Sequence, residues 1–283
     1  PCICNRYTKS DCILEPIMQL IYLPEVFVCR QDRRLRQPIS NKYKTLLLCF
    51  LKSVRHDKMT KNSKFQINNL LQVPQTLLPK AQISEQVNGK TILVTGAAGS
   101  IGSEIVKQLL SYAPYKIILL DVAEVPLQKV QLRLAAFKTT TQLIPFLAYI
   151  KEAQVLESLF VKHRPSIVYD AAANKHVPFL EGFPYQAIQN NVVGTKIIVD
   201  LSLAYLVETF VFISTDKAVN PISIMGASKR LAELYIQTIN NEQTKANFIT
   251  TRFGNVFGSS GSVGPIFSKQ IKAGGPLTLT HPD

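Results

Sequence analysis

The sequence contains no run of ~18 consecutive apolar residues, the length that a membrane-spanning helix needs. Its best candidate, Cys12 to Cys29, is broken by Glu15 and Glu25, and TLLLCFL (Thr45 to Leu51) is too short. The chain by itself therefore reads as soluble. Cysteine is absent after residue 49, because all five (Cys2, Cys4, Cys12, Cys29, Cys49) lie at the front. They read as free thiols in a reducing, cytoplasmic compartment. Cys2 and Cys4 are spaced C-x-C and have no accompanying pair of histidines, so no metal site is expected. There is no internal repeat and no low-complexity tract.

Charge of one sign is in excess, with a formal net charge of +13, but its distribution is uneven. Residues 1–89 hold 14 Lys and Arg against 6 Asp and Glu, whereas residues 90–283 hold 18 against 13. The excess sits in CRQDRRLRQ and KSVRHDKMTKNSK, and no aromatic-interleaved nucleic-acid motif accompanies it. A solvated basic segment beside an anionic membrane surface accounts for it, and no nucleic-acid partner is expected. The first residue is proline, and the closing THPD carries neither a helix cap nor a polar tail, so the chain is expected to be a fragment.

What is present begins near Asn88-Gly89. Residues 1–88 are patterned weakly, and INNLLQVPQTLLPKAQISEQVNG reads as a linker with short helical pieces. Residues 89–283 alternate regularly. KTILVTG, YKIILLD, Gln142 to Ala148, SIVYDAA, TFVFIST and NFITTRFGN read as strands. Helical spacing separates them in SIGSEIVKQLLSYA, Glu124 to Ala136, Ala153 to His163, Pro184 to Leu206 and SKRLAELYIQTIN. Strands alternating with helices mean βαβ units with right-handed crossovers. The expected fold is α/β, a doubly wound parallel sheet, and 46% hydrophobic content is ample for its core.

The turn between the first strand and the first helix is VTGAAGSIGS, with Gly96, Gly99 and Gly102 spaced G-x-x-G-x-x-G. Glycine lets the backbone turn sharply and approach a pyrophosphate closely. The helix that opens at Ser100 and Ile101 offers N–H groups and a positive dipole end to the phosphates. Asp121 ends the next strand, 19 residues beyond Gly102, where an acidic residue accepts hydrogen bonds from the adenosine ribose. A dinucleotide cofactor is expected here. Asp121 favours NAD over NADP because a carboxylate repels a 2′-phosphate, while nearby Lys129 and Arg133 keep NADP in play.

Further along, AAANKHVPFLE, NNVVGT, ISTDKAVNPISIMGASKRLAE and TRFGNVFGSSGSVGPIFSKQI resemble the polysaccharide-biosynthesis (CapD-type) nucleotide-sugar 4,6-dehydratases. These are extended short-chain dehydrogenase/reductases, and the resemblance covers about Asn88 to Asp283. It implies a UDP-N-acetylglucosamine 4,6-dehydratase with tightly bound NAD or NADP, a UDP-sugar substrate and a homo-oligomeric state. It also implies a place in bacterial surface-glycan synthesis, at the inner face of the membrane through an upstream region. The sequence departs from the pattern at Asp170, usually histidine, at Ala148-Tyr149, usually Gly-Asp, and at Gly264, usually aliphatic. The family pattern continues past THPD, so the C-terminal substrate lobe is expected to be truncated.

A 4,6-dehydration oxidises C4, eliminates water across C5–C6 and returns the hydride to C6. The elimination needs a base for the C5 proton, which the 4-keto group makes acidic, and an acid for the C6 hydroxyl. Thr215-Asp216-Lys217 directly follow the strand FVFIS, at the strand end where ligands of open α/β sheets bind. An adjacent Asp and Lys offer an acid and a base to one substrate. By resemblance Asp216 is the acid at C6 and Lys217 the base at C5, with Thr215 and Asp216 handling the O4 proton. Met225 stands where related enzymes carry a catalytic Tyr four residues before Lys229, and methionine cannot transfer a proton. The resemblance ties this Met to the subgroup that retains configuration at C5. Lys229 remains available to hold the nicotinamide ribose. Ala171 and Ala172 are placed at the cofactor, and Lys175, His176, Asn191 and Asn255 on the substrate side, with Asn191 orienting the active-site backbone. Ser259 and Ser260, in GSSGSV, suit a diphosphate. Two rivals stand beside this reading. A nucleotide-sugar 4-epimerase shares the hydride step but needs no acid at C6 or base at C5, and a cofactor-sensing module would bind without turnover.

Overall fold

The computed structural model describes residues 80–242, 246–256, 259 and 263–278. The expectations for residues 1–79 and for Ser260 lie outside the described residues. The chain divides into two units. In the second, described over residues 267–278, Gln270 Nε2 donates to Thr278 Oγ1 at 2.7 Å and Gln270 Oε1 accepts from the Thr278 N–H at 3.2 Å. All that follows concerns the first unit, as far as Ile266.

Six strands form one sheet: β1 (Thr91–Thr95), β2 (Lys116–Asp121), β3 (Gln142–Leu147), β4 (Ile167–Asp170), β5 (Thr209–Thr215) and β6 (Asn247–Phe253). The order is β3-β2-β1-β4-β5-β6, and every pairing is parallel. The central strands are apolar on both faces, as a sheet covered on both sides requires. β3, at the edge, is half exposed and tolerates Pro145, which cannot donate to a ladder.

The helices divide between the two faces. α1 (Lys80–Val87), α2 (Ser100–Leu109) and α3 (Glu124–Ala135) cover one, packing Ile83, Ile105, Val106 and Leu134 against Ile92, Val94, Ile117 and Leu119. On the other lie α4 (Ala153–His163), α7 (Thr195–Ala204) and α8 (Ile224–Glu242), with Phe160, Ile198 and Ile236 against Leu93, Ile118, Val168 and Phe210. Alternate residues of each strand feed the two cores, as a pleated strand dictates. Two short helices, α5 (Val177–Gly182) and α6 (Pro184–Ala187), and a π-helical segment (Ile188–Gly194) lead into α7, and α9 (Val263–Lys272) is the last helix among the described residues. No helix among the described residues is long and apolar enough to cross a membrane.

The expected alternation is present from β1 to β6. α5 is an element the sequence does not signal, because VPFLEG is too short to show a helical period. The long helix expected from Pro184 is interrupted by the π segment. α8 begins at Ile224 rather than Ser228, because Glu181 Oε1 on α5 accepts from the Ile224 N–H at 2.9 Å and so supplies an end that SIMG alone does not signal.

Candidate active site

Strand order reverses between β1 and β4, and a crevice opens there at the C-terminal ends of the strands. It is a cavity of about 280 Å³ lined by Gly96, Ala98, Gly99, Asp121, Tyr149, Ala171, Ala172, Asn174 and neighbouring residues. Five of the residues expected at a cofactor thus share one cleft: Gly96, Gly99, Asp121, Ala171 and Ala172. Gly96 takes a φ of +61°, and a Cβ on it would lie 2.7 Å from the Ala171 carbonyl oxygen, so only glycine allows β1 and β4 to end this close together. Ser100, Ile101 and Gly102 form the first turn of α2 rather than the cavity wall. A Cβ on Gly102 would lie 2.2 Å from the Gly96 carbonyl oxygen, so Gly102 seats the helix on the turn.

Asp121 is held in place by its own backbone surroundings. Oδ2 accepts from the Ala98 N–H at 2.8 Å and Oδ1 from the Ala123 N–H at 2.9 Å. Each oxygen keeps a lone pair for a ribose hydroxyl. A helix N-terminus above a glycine turn, a fixed carboxylate and an open crevice together fit an adenine dinucleotide.

A second group of residues lies at the end of β5. Thr215 Oγ1 donates to Asp216 Oδ1 at 2.9 Å and accepts from the Lys217 N–H at 3.3 Å, capping a 3-10 turn over Asp216–Ala218. Lys217 Nζ donates to Asp216 Oδ1 at 3.0 Å and to Asn255 Oδ1 at 3.1 Å. Both Asp216 and Lys217 remain exposed, so the pair, with Asn255, can meet a substrate. Gly226, which carries no signal in the sequence, makes this arrangement possible. A Cβ there would lie 2.3 Å from the Lys217 carbonyl oxygen, which fixes how closely α8 approaches the turn. Gly226→Ala is expected to cost about 1–3 kcal/mol of stability through overpacking. It should also lower turnover by displacing Asp216 and Lys217 while leaving dinucleotide affinity nearly unchanged, and paired calorimetric titration and steady-state kinetics would check this.

Two of the expected site residues are buried. Met225 is 5% exposed and packs with Leu180 and Ala187, and it does not line the cavity. Asn191 has no exposed surface. Its Oδ1 accepts from the Asn174 N–H at 2.8 Å, and its Nδ2 donates to the Asn174 carbonyl at 3.0 Å and to Ser228 Oγ at 3.0 Å. It therefore positions Asn174, which lines the cavity, and the π segment turns it inward to do so. Lys175 and His176 are exposed beyond Asn174 and outside the cavity lining. Ser259 follows β6 and its N–H approaches the Val256 carbonyl at 3.4 Å.

Lys229 lies beneath the cleft, not in its wall. It is 3% exposed, its Nζ stands 3.9 Å from the centre of the Phe212 ring, and that nitrogen has no hydrogen-bond partner. An orphaned buried nitrogen next to a cleft fits a lysine whose acceptor is a bound ligand. Burial drives its pKa down to about 8, against the opposing pull of Asp170 and Glu233.

Glu233 is the centre of a cluster that the sequence does not announce. Wholly buried, it accepts from Ser214 Oγ at 2.6 Å, Arg230 at 2.9 Å and Arg252 at 2.8 and 2.6 Å. Burial pushes its carboxyl up, but the hydrogen bonds from Arg252, Ser214 and Arg230 outweigh this and hold it below the usual glutamate range. Ser214 and Arg252 are register partners, so Glu233 fastens the ends of β5 and β6 to α8 just beneath Thr215.

Fold and cleft together define the class: an α/β protein of the NAD(P)-binding Rossmann type, with a polar second site at the end of β5. The chain belongs to the polysaccharide biosynthesis protein family, which matches residues 92–283. It is 44% identical over 221 residues to the capsular polysaccharide biosynthesis protein CapD of Staphylococcus aureus, covering 78% of this chain and 37% of that protein. It is 37% identical over 203 residues to a UDP-N-acetylglucosamine 4,6-dehydratase (inverting) of Campylobacter jejuni strain 81-176, covering 69% and 58%. Among solved structures it resembles the Thermus thermophilus UDP-glucose 4-epimerase in complex with NAD. The TM-score there is 0.59 at 26% identity, over 67% of this chain and 65% of that one. The chain spans less than two thirds of the length of these relatives.

Proposed function

We propose that the protein is a nucleotide-sugar 4,6-dehydratase that converts UDP-N-acetylglucosamine to its 4-keto-6-deoxy form with bound NAD or NADP. One observation carries this reading: an exposed Asp216–Lys217 pair at the C-terminal end of β5, beside Asn255, on the strand that neighbours the cleft-lining end of β4. Bound in that cleft, NAD(P) would supply a hydride acceptor and donor. Gly96, Asp121 and the first turn of α2 would hold its pyrophosphate and ribose, and Lys229 would donate to its nicotinamide ribose. Thr215 and Asp216 would handle the O4 proton.

Lys217 takes the C5 proton and Asp216 gives a proton to the C6 hydroxyl, so that the C6–O bond breaks and water leaves. For this, Lys217 must first lose its ammonium proton to solvent and its contact with Asp216, and a sugar entering between them would separate the two. A single base that removes the C5 proton and delivers a solvent-exchanged one to the same face retains configuration at C5, as the resemblance carried by Met225 implies. Asn255, freed from Lys217 in the same event, would bind the sugar.

The 4-epimerase reading has support of its own in the likeness to the Thermus thermophilus epimerase. The two separate on product mass. With UDP-N-acetylglucosamine and NAD, the dehydratase reading predicts a product lighter by one water. A product of unchanged mass with C4 inverted would overturn it in favour of the epimerase.

A further inference from the structure

At the C-terminal edge of the sheet, one row of side chains on the α4–α7–α8 face is set by register. Thr95, Asp170 and Phe212 are successive partners across β1, β4 and β5 and so point to the same side. Asp170 has no exposed surface. Its Oδ1 accepts from Thr95 Oγ1 at 2.6 Å and its Oδ2 from Thr195 Oγ1 on α7 at 3.1 Å. Thr95 Oγ1 in turn accepts from the Ala172 N–H at 3.1 Å, which ties the cleft-lining alanines to this layer. Above the neighbouring Phe212 ring lies the Lys229 ammonium with its orphaned nitrogen. Two hydroxyls satisfy the hydrogen bonding of Asp170 but leave its charge uncompensated, and a buried carboxylate without a counter-ion is strongly disfavoured.

We propose that Asp170 is a positioning residue of the active site, the buried counter-charge that keeps Lys229 protonated beneath the cofactor cleft. The inference rests on the reading of that cleft as the NAD(P) site only for what Lys229 then does, which is to donate to the ribose.

The other charged groups near Lys229 do not compensate it in the same way. Glu233, one turn along α8, is committed to Arg230 and to Arg252 of β6. Lys196, Asp200 and Tyr235, farther along α7 and α8, bond to one another. Opposed burial and attraction act on both members of the pair. Burial raises the Asp170 carboxyl above the usual aspartate range, and Lys229, Thr95 and Thr195 offset this only in part.

Asp170→Asn separates charge from shape. The amide can still accept from Thr95 and donate to Thr195, but it carries no charge. In lysine-¹³C-labelled protein without cofactor, the Cε resonance of Lys229, assigned by its loss in Lys229→Met, would be followed against pH. The midpoint should fall by at least about one unit in Asp170→Asn. NAD affinity, measured by calorimetry, should lose its strength at correspondingly lower pH. A Lys229 midpoint that stays in place would overturn the proposal.

If Asp170→Asn fails to fold, the double variant Asp170→Asn/Lys229→Met decides. Recovery of Tm on removing both charges supports the pairing, and no recovery shows that Asp170 is merely structural. Because the titration uses neither cofactor nor sugar, failure of the dehydratase reading leaves its outcome intact.

Discussion

Lys217→Met lowers turnover by about 10²–10⁴-fold, the usual worth of a positioned general acid or base. Dinucleotide affinity should be unaffected, because Lys217 lies outside the cleft that holds Gly96 and Asp121. Asp216→Asn should do comparable damage. The two are coupled through a 3.0 Å contact and act on one elimination, so the double variant should fall little below either single one. Steady-state kinetics on the three variants, with calorimetric NAD titration beside them, would check this. Single losses that multiply would mean that the two residues act independently. A weakened cofactor site would mean that the turn is structural.

The second large effect concerns stability. Glu233→Ala removes the acceptor of four hydrogen bonds from Ser214, Arg230 and Arg252. Because both arginines keep access to water, the loss should lie at the lower end for a broken buried pair, about 3 kcal/mol. For a unit of this size that is a fall in Tm of about 10 °C. The contribution is pH-dependent in a definite direction. The folded-state pKa is depressed, so the stabilisation is fully present above the ordinary glutamate value and is lost as pH falls through the lower folded one. Wild type and Glu233→Gln should therefore differ clearly at pH 7 and converge in acid, by thermal melts across pH 3–7. A difference that persists unchanged to pH 3 would show that shape, not charge, is what Glu233 contributes.

Much of this is readable from the sequence because it depends on local pattern. β1, β2, β4 and β5 are apolar runs between turn residues, and burial on both faces of a parallel sheet demands that pattern. Gly96, Gly102 and Asp121 are legible because a phosphate turn has a fixed spacing relative to its strand and helix. What escapes depends on residues distant in the chain. Gly226 looks like any glycine near a helix start, and only the approach of the Lys217 carbonyl gives it a purpose. Glu233 reads as a solvated position in KRLAELY, yet two strands and a helix converge on it. Asp170 is visible only as a departure from a family pattern, and nothing local shows that Lys229, 59 residues later, lies near it. Met225 draws attention for the chemistry it lacks, whereas its environment makes it a packing residue.

The central claim is that Asp216 and Lys217 eliminate water across C5–C6. Its most direct test is to incubate the protein and its Lys217→Met variant with UDP-N-acetylglucosamine and NAD in D₂O and read the products by proton NMR. A 4-keto-6-deoxy product is expected from the wild type, with deuterium at C5 and the ring couplings of the unaltered configuration, and none from the variant. Deuterium entering C5 equally fast without Lys217 would contradict it.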